Sequence, residues 1–147
     1  MPQTTKTPTD PARVDPVDRT RTIEELEAEA WGEPDTFSCV AVACHRLRKV
    51  PLEELSLEEI RILVEQGVGL PFVLPLALEL LEDDPLAEGD LHRGDLLATV
   101  VAVKPEIWQE NEALLHRLTA VVERAEEVRE TLAEKVLPAY EEIFRSA

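Results

Sequence analysis

Two short segments carry residue types that could do chemistry. Cys44 and His45 are neighbours, and a thiolate beside an imidazole base is the arrangement of a cysteine nucleophile. Consecutive helical residues, however, point about 100° apart, and Cys44 falls on the apolar face of the helix predicted around it, which favours an inert core cysteine. Cys39 would point about 140° away from Cys44 on that helix, so we expect both thiols to be reduced.

The other segment contains His92, which lies between Asp90 and Asp95 and close to two glycines. These side chains could hold a cation, but there is no second histidine at metal-ligand spacing, so a solvated loop histidine is the preferred interpretation. The chain also lacks a glycine-rich phosphate-binding loop followed by lysine. We therefore predict a protein that is not an enzyme and that uses no metal and no other cofactor.

The composition narrows the choice of partner and compartment. The 147 residues include 31 acidic and 15 basic side chains, a formal net charge of -16 at pH 7. Such a chain repels phosphate groups, so direct binding of nucleic acid or of an anionic membrane is not expected. The N-terminus shows no secretory signal, and the longest uncharged apolar run, residues 68–78, is too short to cross a bilayer. We expect a cytoplasmic protein.

Helix signals predict the elements that would position these residues. Four prolines and few apolar side chains in residues 1–21 predict a disordered tail, and 22–147 are predicted to form one helical domain. The predicted fold is all-α, a compact single-domain helical bundle with a long C-terminal helix. We predict helices over residues 22–31, 35–49, 57–67, 70–84, 95–103 and 111–132, the last extending to about residue 144 with a kink at Pro138.

Four of these elements have distinct signals. Thr22 and Ser56 each begin a capping-box pattern that ends in glutamate. The helix over 70–84 is apolar on nearly all sides, which is typical of the central helix of a core. Small and β-branched residues over 38–43 leave a buried strand as the alternative to a helix there.

Acidic residues concentrate between positions 79 and 95, where seven carboxylates accompany one basic residue, Arg93. The usual interpretation of such a run is a solvated surface. Several of these carboxylates lie at the C-terminal end of a predicted helix, however, where the helix dipole disfavours anions. The segment is therefore suited to binding a basic protein partner. The predicted partner-binding residues are Glu79, Glu82, Asp83, Asp84, Glu88, Asp90, His92 and Asp95.

The last predicted helix has apolar residues at alternating spacings of four and three. Packing on its own domain accounts for this spacing, and we expect a monomer when the protein is free. Self-association through this helix, in a non-enzymatic adaptor, is the alternative. The acidic residues between Glu123 and Glu134 alternate with basic ones and are interpreted as an ordinary solvated face.

Over residues 22–108 the sequence resembles the immunity proteins of bacterial contact-dependent growth inhibition systems. The glycine-leucine-proline block and the block that ends at Asp90 are the most specific parts of this resemblance, whereas His92 and Arg93 depart from the pattern. The resemblance rests on five blocks: Trp31-Gly32-Glu33-Pro34, Cys44-His45-Arg46-Leu47-Arg48, Ser56-Leu57-Glu58-Glu59-Ile60-Arg61-Ile62-Leu63, Gly69-Leu70-Pro71-Phe72-Val73-Leu74-Pro75-Leu76-Ala77-Leu78 and Asp84-Pro85-Leu86-Ala87-Glu88-Gly89-Asp90.

The resemblance implies a cytoplasmic, non-enzymatic antitoxin in bacterial competition. Such a protein binds the C-terminal toxin domain of a matching surface effector and blocks it. The toxins associated with the group are often nucleases, including RNase A-like ribonucleases. Because a nuclease needs a cationic site to hold phosphate, the acidic composition and the resemblance lead to the same expected partner, a basic toxin domain.

Overall fold

The computed structural model describes residues 17–35 and 37–146. These residues form helices and no strand, and the isolated antiparallel bridge between Thr22 and Pro51 is their only β-type pairing. The all-α prediction is therefore confirmed. The helices are α1 (Ile23–Glu27), α2 (Cys39–Leu47), α3 (Leu57–Glu65), α4 (Leu70–Asp83), α5 (Asp95–Val101), α6 (Pro105–Gln109), α7 (Glu112–Thr131) and α8 (Leu137–Arg145), with a 3-10 turn at Leu52–Glu54 and a π-helical segment at Leu132–Val136.

Side-chain caps begin the helices where the sequence predicts them. At α3 the Ser56 hydroxyl accepts from the Glu59 amide at 3.2 Å, and the Glu59 carboxylate accepts from the Ser56 amide at 3.0 Å, a complete capping box. At α1 the Thr22 hydroxyl accepts from the Glu25 amide at 3.1 Å. The Glu25 carboxylate lies 3.7 Å from Arg21 instead of closing a second box. Local sequence therefore determines these helix starts.

The segment over 38–43 is helical, so the strand alternative is wrong. Helix α2 begins at Cys39, later than predicted, after the Ser38 hydroxyl accepts from the Ala41 amide at 3.5 Å. Cys44 and Leu47 are buried, but Phe37, which lies within the range predicted for this helix, precedes it and is fully exposed. A late start thus removes the first predicted turn from the core.

Helix α4 is the central helix, as its all-round apolar character predicts. It contacts α3, α5 and α7, and Val73, Ala77, Leu78 and Leu81 have no exposed surface. Pro71 lies in the first turn, where backbone amides have no acceptor within the helix, so the missing amide hydrogen costs no hydrogen bond. The core thus surrounds one helix whose C-terminal end leads directly into the acidic segment.

The end of the predicted tail is hydrogen-bonded to the domain. Residues 1–16 of that tail lie outside the described residues. The Arg19 carbonyl accepts from the Glu53 amide at 2.9 Å, and the Arg21 carbonyl accepts from the Leu52 amide at 3.0 Å. The Arg19 side chain also pairs with Glu79 on α4. Residues 19–21 therefore belong to the folded part of the chain.

The long C-terminal helix continues through three segments. Leu118 and Val121 of α7 are buried against the core, but every residue from Glu126 to Ser146 is exposed. Pro138 lies in the first turn of α8, directly after the π-helical segment. The helix therefore extends as far as the sequence predicts, and its second half is exposed along its whole length.

Within residues 17–35 and 37–146, no helix combines the length and the hydrophobicity that a membrane span requires.

Candidate functional site

The acidic loop, residues 84–94, connects α4 to α5 and is folded by its own backbone. The Asp84 carboxylate accepts from the Leu86 amide at 3.0 Å, and the Asp84 carbonyl accepts from the Ala87 amide at 3.0 Å. The Leu86 carbonyl accepts from the Gly94 amide at 3.1 Å, which closes the base of the loop. Gly94 has φ +83, a left-handed conformation that favours glycine. The loop therefore has a defined shape.

Asp95 holds the tip of the acidic loop from inside the protein. Its side chain is buried, and its carboxylate accepts from the amides of Gly89 at 2.6 Å, Leu91 at 3.0 Å and His92 at 3.4 Å. Burial raises the pKa of this carboxyl, but the three amides and the nearby Arg61 outweigh burial and hold the pKa below its ordinary value. Asp95 is thus charged and structural at neutral pH.

Glu58 and Arg61 connect the acidic loop to α3. Arg61, which is buried, donates from Nε and Nη2 to the two oxygens of Glu58 at 2.8 and 2.6 Å. Glu58 Oε2 also accepts from the Asp90 amide at 2.9 Å. Arg61 Nε lies 4.0 Å from Asp95 Oδ2. We call Glu58, Arg61 and Asp95 the anchoring network, because all three fix the position of the loop.

Within the anchoring network, Glu58 and Arg61 each stabilise the charged form of the other. The hydrogen bond from Arg61 is the main cause that lowers the pKa of Glu58. The same hydrogen bonds, which Glu58 accepts, raise the pKa of Arg61 above its ordinary value. Each group is therefore ionised at neutral pH, as buried charges with matched partners are expected to be.

Gly89 is required where the acidic loop passes the anchoring network. A Cβ at this position would lie 3.0 Å from Asp95 Oδ2 and closer still to Glu58 Oε2. Both oxygens are already hydrogen-bonded, so neither can move away without losing a partner. The glycine therefore permits the approach of the loop backbone to the two carboxylates.

Four of the predicted partner-binding carboxylates have partners within the protein. Glu79 accepts from Arg19 Nη1 at 3.1 Å, and this pairing is the main cause that lowers the pKa of Glu79. Glu82 accepts from Arg117 Nε at 3.0 Å. Asp84 lies 3.9 Å from Arg93, and Asp95 belongs to the anchoring network. Asp95 in particular is not on the surface, although the sequence placed it among the contact residues.

Three predicted carboxylates remain exposed and available. Within the part of the chain that the structure describes, the side chains of Asp83, Glu88 and Asp90 make no ion pair. We call these three the exposed carboxylates. His92 is also exposed, and its Nδ1 lies 3.0 Å from the Arg93 carbonyl. The exposed carboxylates can bind lysine or arginine side chains of a partner.

An open groove of about 730 Å³ runs beside the acidic loop, between α3 and α5. Leu91 and His92 line it on the loop side, and the small residues Ala98 and Ala102 line it on α5. Leu91 is 64% exposed at the edge of this groove. The loop therefore presents carboxylates and an adjacent apolar contact.

Sequence reasoning did not identify Glu58 and Arg61 as residues of this site. A signal was present, because Arg61 lies four residues after Leu57 and three before Val64, on the apolar face of its helix. A charged residue on such a face requires a buried partner, and Glu58, one turn earlier, is that partner. Nothing in the sequence indicates that the pair would hold residues about thirty positions later.

Two of the blocks that suggested the family meet in a second cluster, in which Arg48 is buried and Trp31 is exposed. The Arg48 guanidinium lies 4.2 Å from the centre of the Trp31 ring and donates to the Glu29 carbonyl at 2.9 Å. The His45 ring packs edge-on against Trp31 and lies 3.1 Å from the Gly32 carbonyl. These residues join the segment after α1 to α2, which is a structural role.

The structure offers little for catalysis or for metal binding. Cys44 is buried, and burial raises the pKa of its thiol, so the reactive thiolate is disfavoured. In the described ranges, no three or more histidine, cysteine, aspartate or glutamate side chains are grouped so that they could hold a metal ion.

The family model for CDI immunity proteins, those of contact-dependent growth inhibition, matches residues 25–118, more than half of the chain. The chain belongs to this family. No curated protein and no solved structure matches it. The matched range contains the anchoring network and the whole acidic loop, and it ends within α7. The resemblance seen in the sequence is confirmed, and the general role of this immunity protein is to neutralise a toxin of contact-dependent growth inhibition.

Proposed function

We propose that this immunity protein neutralises a basic toxin domain, a nuclease, by placing its acidic loop over the cationic substrate site. It does so by binding, without catalysis and without a cofactor, in the cytoplasm. The observation that carries the proposal is the contrast between the fixed backbone of the acidic loop and three exposed carboxylates, two on the loop and one at the helix end before it. The buried anchoring network fixes the backbone, whereas Asp83, Glu88 and Asp90 are exposed and have no ion-pair partner among the described residues.

A fixed loop favours tight binding, because less conformational entropy is lost on association. The amides of Gly89, Asp90 and Leu91 are already bonded to buried carboxylates in the free protein. The exposed carboxylates therefore need little reordering before they contact a partner. Carboxylates held in this way also attract a basic surface at long range and accelerate encounter.

A nuclease is the toxin class that best complements this loop. Its active site must hold phosphate groups with lysine or arginine side chains, and carboxylates can occupy the same positions. The groove beside Leu91 supplies an apolar contact next to these charges. Interfaces with an apolar centre and a charged rim combine affinity with specificity.

A charge-matched pair of variants tests the proposal. The first carries Asp83→Asn, Glu88→Gln and Asp90→Asn, and the control carries Glu123→Gln, Glu126→Gln and Glu130→Gln on the exposed side of α7. Both lose three negative charges. Binding to the C-terminal domain of the effector encoded beside this protein is measured by calorimetry, and cleavage of RNA and DNA by that domain is measured with and without each variant.

The loop variant should bind the toxin domain at least about tenfold more weakly and show a smaller loss of affinity with added salt. The control should bind like the natural protein. An equal loss in both variants would mean that net charge matters and the loop does not. Unchanged affinity in both would remove the acidic loop from the interface, and a toxin domain that cleaves neither nucleic acid would refute the nuclease assignment.

A further inference from the structure

The second half of the C-terminal helix exposes an apolar face. Every residue from Glu126 to Ser146 is exposed, although many are large and apolar. Soluble helices with such a face normally bury it against another element. We define the C-terminal apolar face by its large apolar side chains, which are 39% to 66% exposed: Val128, Leu132, Val136, Leu137, Tyr140, Ile143 and Phe144.

The domain leaves most of this face uncovered. Helix α7 packs on α4, and Val121 is its last buried residue. Val128 and Leu132 line an open groove with Pro85 of the acidic loop. Beyond that point the Tyr140 and Phe144 rings contact each other edge-on at 4.9 Å. The exposed parts of these side chains total roughly 700 Å², above the 300–600 Å² of the largest patch on a typical monomer. An interaction partner is therefore required to bury the face.

The π-helical segment helps to keep the apolar side chains on one face. Val128, Leu132, Val136, Tyr140 and Phe144 follow one another at intervals of four residues. In a regular α-helix each interval of four turns the side chain by about 40° beyond a full turn, so five such residues would spiral around the helix. The wider π turn at Leu132–Val136 reverses part of that drift. The row of apolar side chains therefore spirals less than it would in an uninterrupted α-helix.

Five of the seven side chains of the face are evenly spaced about Val136, which is compatible with pairing to an identical helix. We propose that a second copy of this protein covers the C-terminal apolar face, with the two helices antiparallel and the two-fold axis at Val136. In this register Leu132 of one copy meets Tyr140 of the other, and Val128 meets Phe144. An interface between identical chains must be self-complementary in this way.

The area available is sufficient for a stable dimer. Two faces of roughly 700 Å² bury about 1,400 Å² together, within the 1,200–2,000 Å² of specific protein interfaces. The sequence alone predicted a monomer, with self-association through this helix as the alternative. Our proposal takes up that alternative, because every residue from Glu126 to Ser146 is exposed.

Charge gives this dimer a distinctive salt dependence. Residues 126–146 contain six glutamates and three basic side chains, so two copies repel each other. The proposed register places Glu127 opposite Arg145 of the other copy, which offsets part of the repulsion. Added salt screens the remainder, so dimerisation should strengthen as salt rises. Binding of a basic partner to the same face would weaken instead.

Sedimentation velocity of the full chain alone tests the proposal, over about 1 to 500 µM in 50 and 500 mM NaCl. We expect a shift with concentration to twice the mass of one chain, and an affinity roughly two- to tenfold tighter at the higher salt. Leu132→Glu and Tyr140→Glu should each abolish the shift. Val101→Glu, at a 51% exposed valine on α5, should preserve it.

All three substitutions change exposed side chains, so unfolding curves should stay unchanged and loss of dimer will not reflect loss of fold. A monomer at every concentration and salt would overturn the proposal, as would loss of the dimer in Val101→Glu.

Cross-linking tests the register in a Cys39→Ser background. Val136→Cys should form a disulfide between copies on oxidation, because it lies at the two-fold axis. Glu126→Cys should not, since ten residues of helix place it about 15 Å from the axis and about 30 Å from its equivalent. Equal cross-linking at both positions would exclude the antiparallel register, and no cross-linking at Val136→Cys would exclude pairing at this point.

Discussion

Replacing Asp95 by alanine measures how strongly the acidic loop is held. The substitution removes the acceptor of three amides, at 2.6, 3.0 and 3.4 Å, in a buried site. Each such bond contributes about 1 kcal/mol, and the longest contributes less. Arg61 keeps its two bonds to Glu58, so it is not left unpaired. We expect a loss of about 2–3 kcal/mol from a free energy of unfolding of roughly 5–15 kcal/mol.

Urea unfolding followed by circular dichroism measures this loss at pH 7. Asp90→Ala is the matched control, because Asp90 lies in the same loop but its side chain is exposed. Its unfolding curve should be unchanged. Asp95→Asn keeps one acceptor oxygen and should lose about half as much as Asp95→Ala. If Asp95→Ala and Asp90→Ala unfold at the same urea concentration, Asp95 does not hold the loop.

The stability difference between the natural protein and Asp95→Ala should also depend on pH, in a direction that the pKa of Asp95 determines. The pKa of Asp95 is lower in the folded state than its ordinary value of 3.8. The unfolded state therefore binds the proton more readily, so the charged carboxylate stabilises the fold above about pH 4, and this contribution is lost as the pH falls through the folded pKa. The stability difference between the natural protein and Asp95→Ala should be largest at pH 7 and narrow below pH 4. A difference that stays constant with pH would contradict the assigned charge.

Two further outcomes follow from the geometry. Gly89→Ala should lower the free energy of unfolding by about 1–3 kcal/mol, because the new methyl group meets Glu58 and Asp95. Gly94→Ala should cost only about 1 kcal/mol of backbone strain, because its Cβ would have no atom closer than 3.9 Å. Equal losses in urea unfolding would contradict the assigned clash. A thiol reagent should modify exposed Cys39 quickly and buried Cys44 only on unfolding. Rapid modification of the remaining thiol in Cys39→Ser would show that Cys44 is accessible.

The parts of the fold that depend on neighbouring residues were predictable from the sequence. Caps at Thr22, Ser56 and Asn111 lie within three residues of the amides they bond. The all-round apolar pattern of α4 likewise predicts a buried helix without knowledge of what surrounds it. Local signals of this kind need no tertiary information, which explains why helix identity was correct although helix ends were not.

Local sequence did not predict which carboxylates are free to bind a partner. Glu79 is paired with an arginine 60 positions away, and Glu82 with one 35 positions away. Asp95 is buried only because α5 packs against α3 and brings it beside Arg61. A count of charges along the chain treats all seven carboxylates alike. Tertiary contacts divide them into four that are paired and three that are exposed.

Added salt should weaken toxin binding at the proposed loop interface and strengthen the proposed dimer. The two interactions can therefore be distinguished in one sample of the protein. A groove lined by Pro85 of the acidic loop together with Val128 and Leu132 places the two surfaces side by side. A second copy seated on the helix would therefore lie next to a bound toxin domain. Because salt weakens attraction between opposite charges and relieves repulsion between like charges, raising it should shift the protein from the toxin complex towards the dimer. An effect of the same sign on both would mean that one of the two surfaces is assigned to the wrong partner.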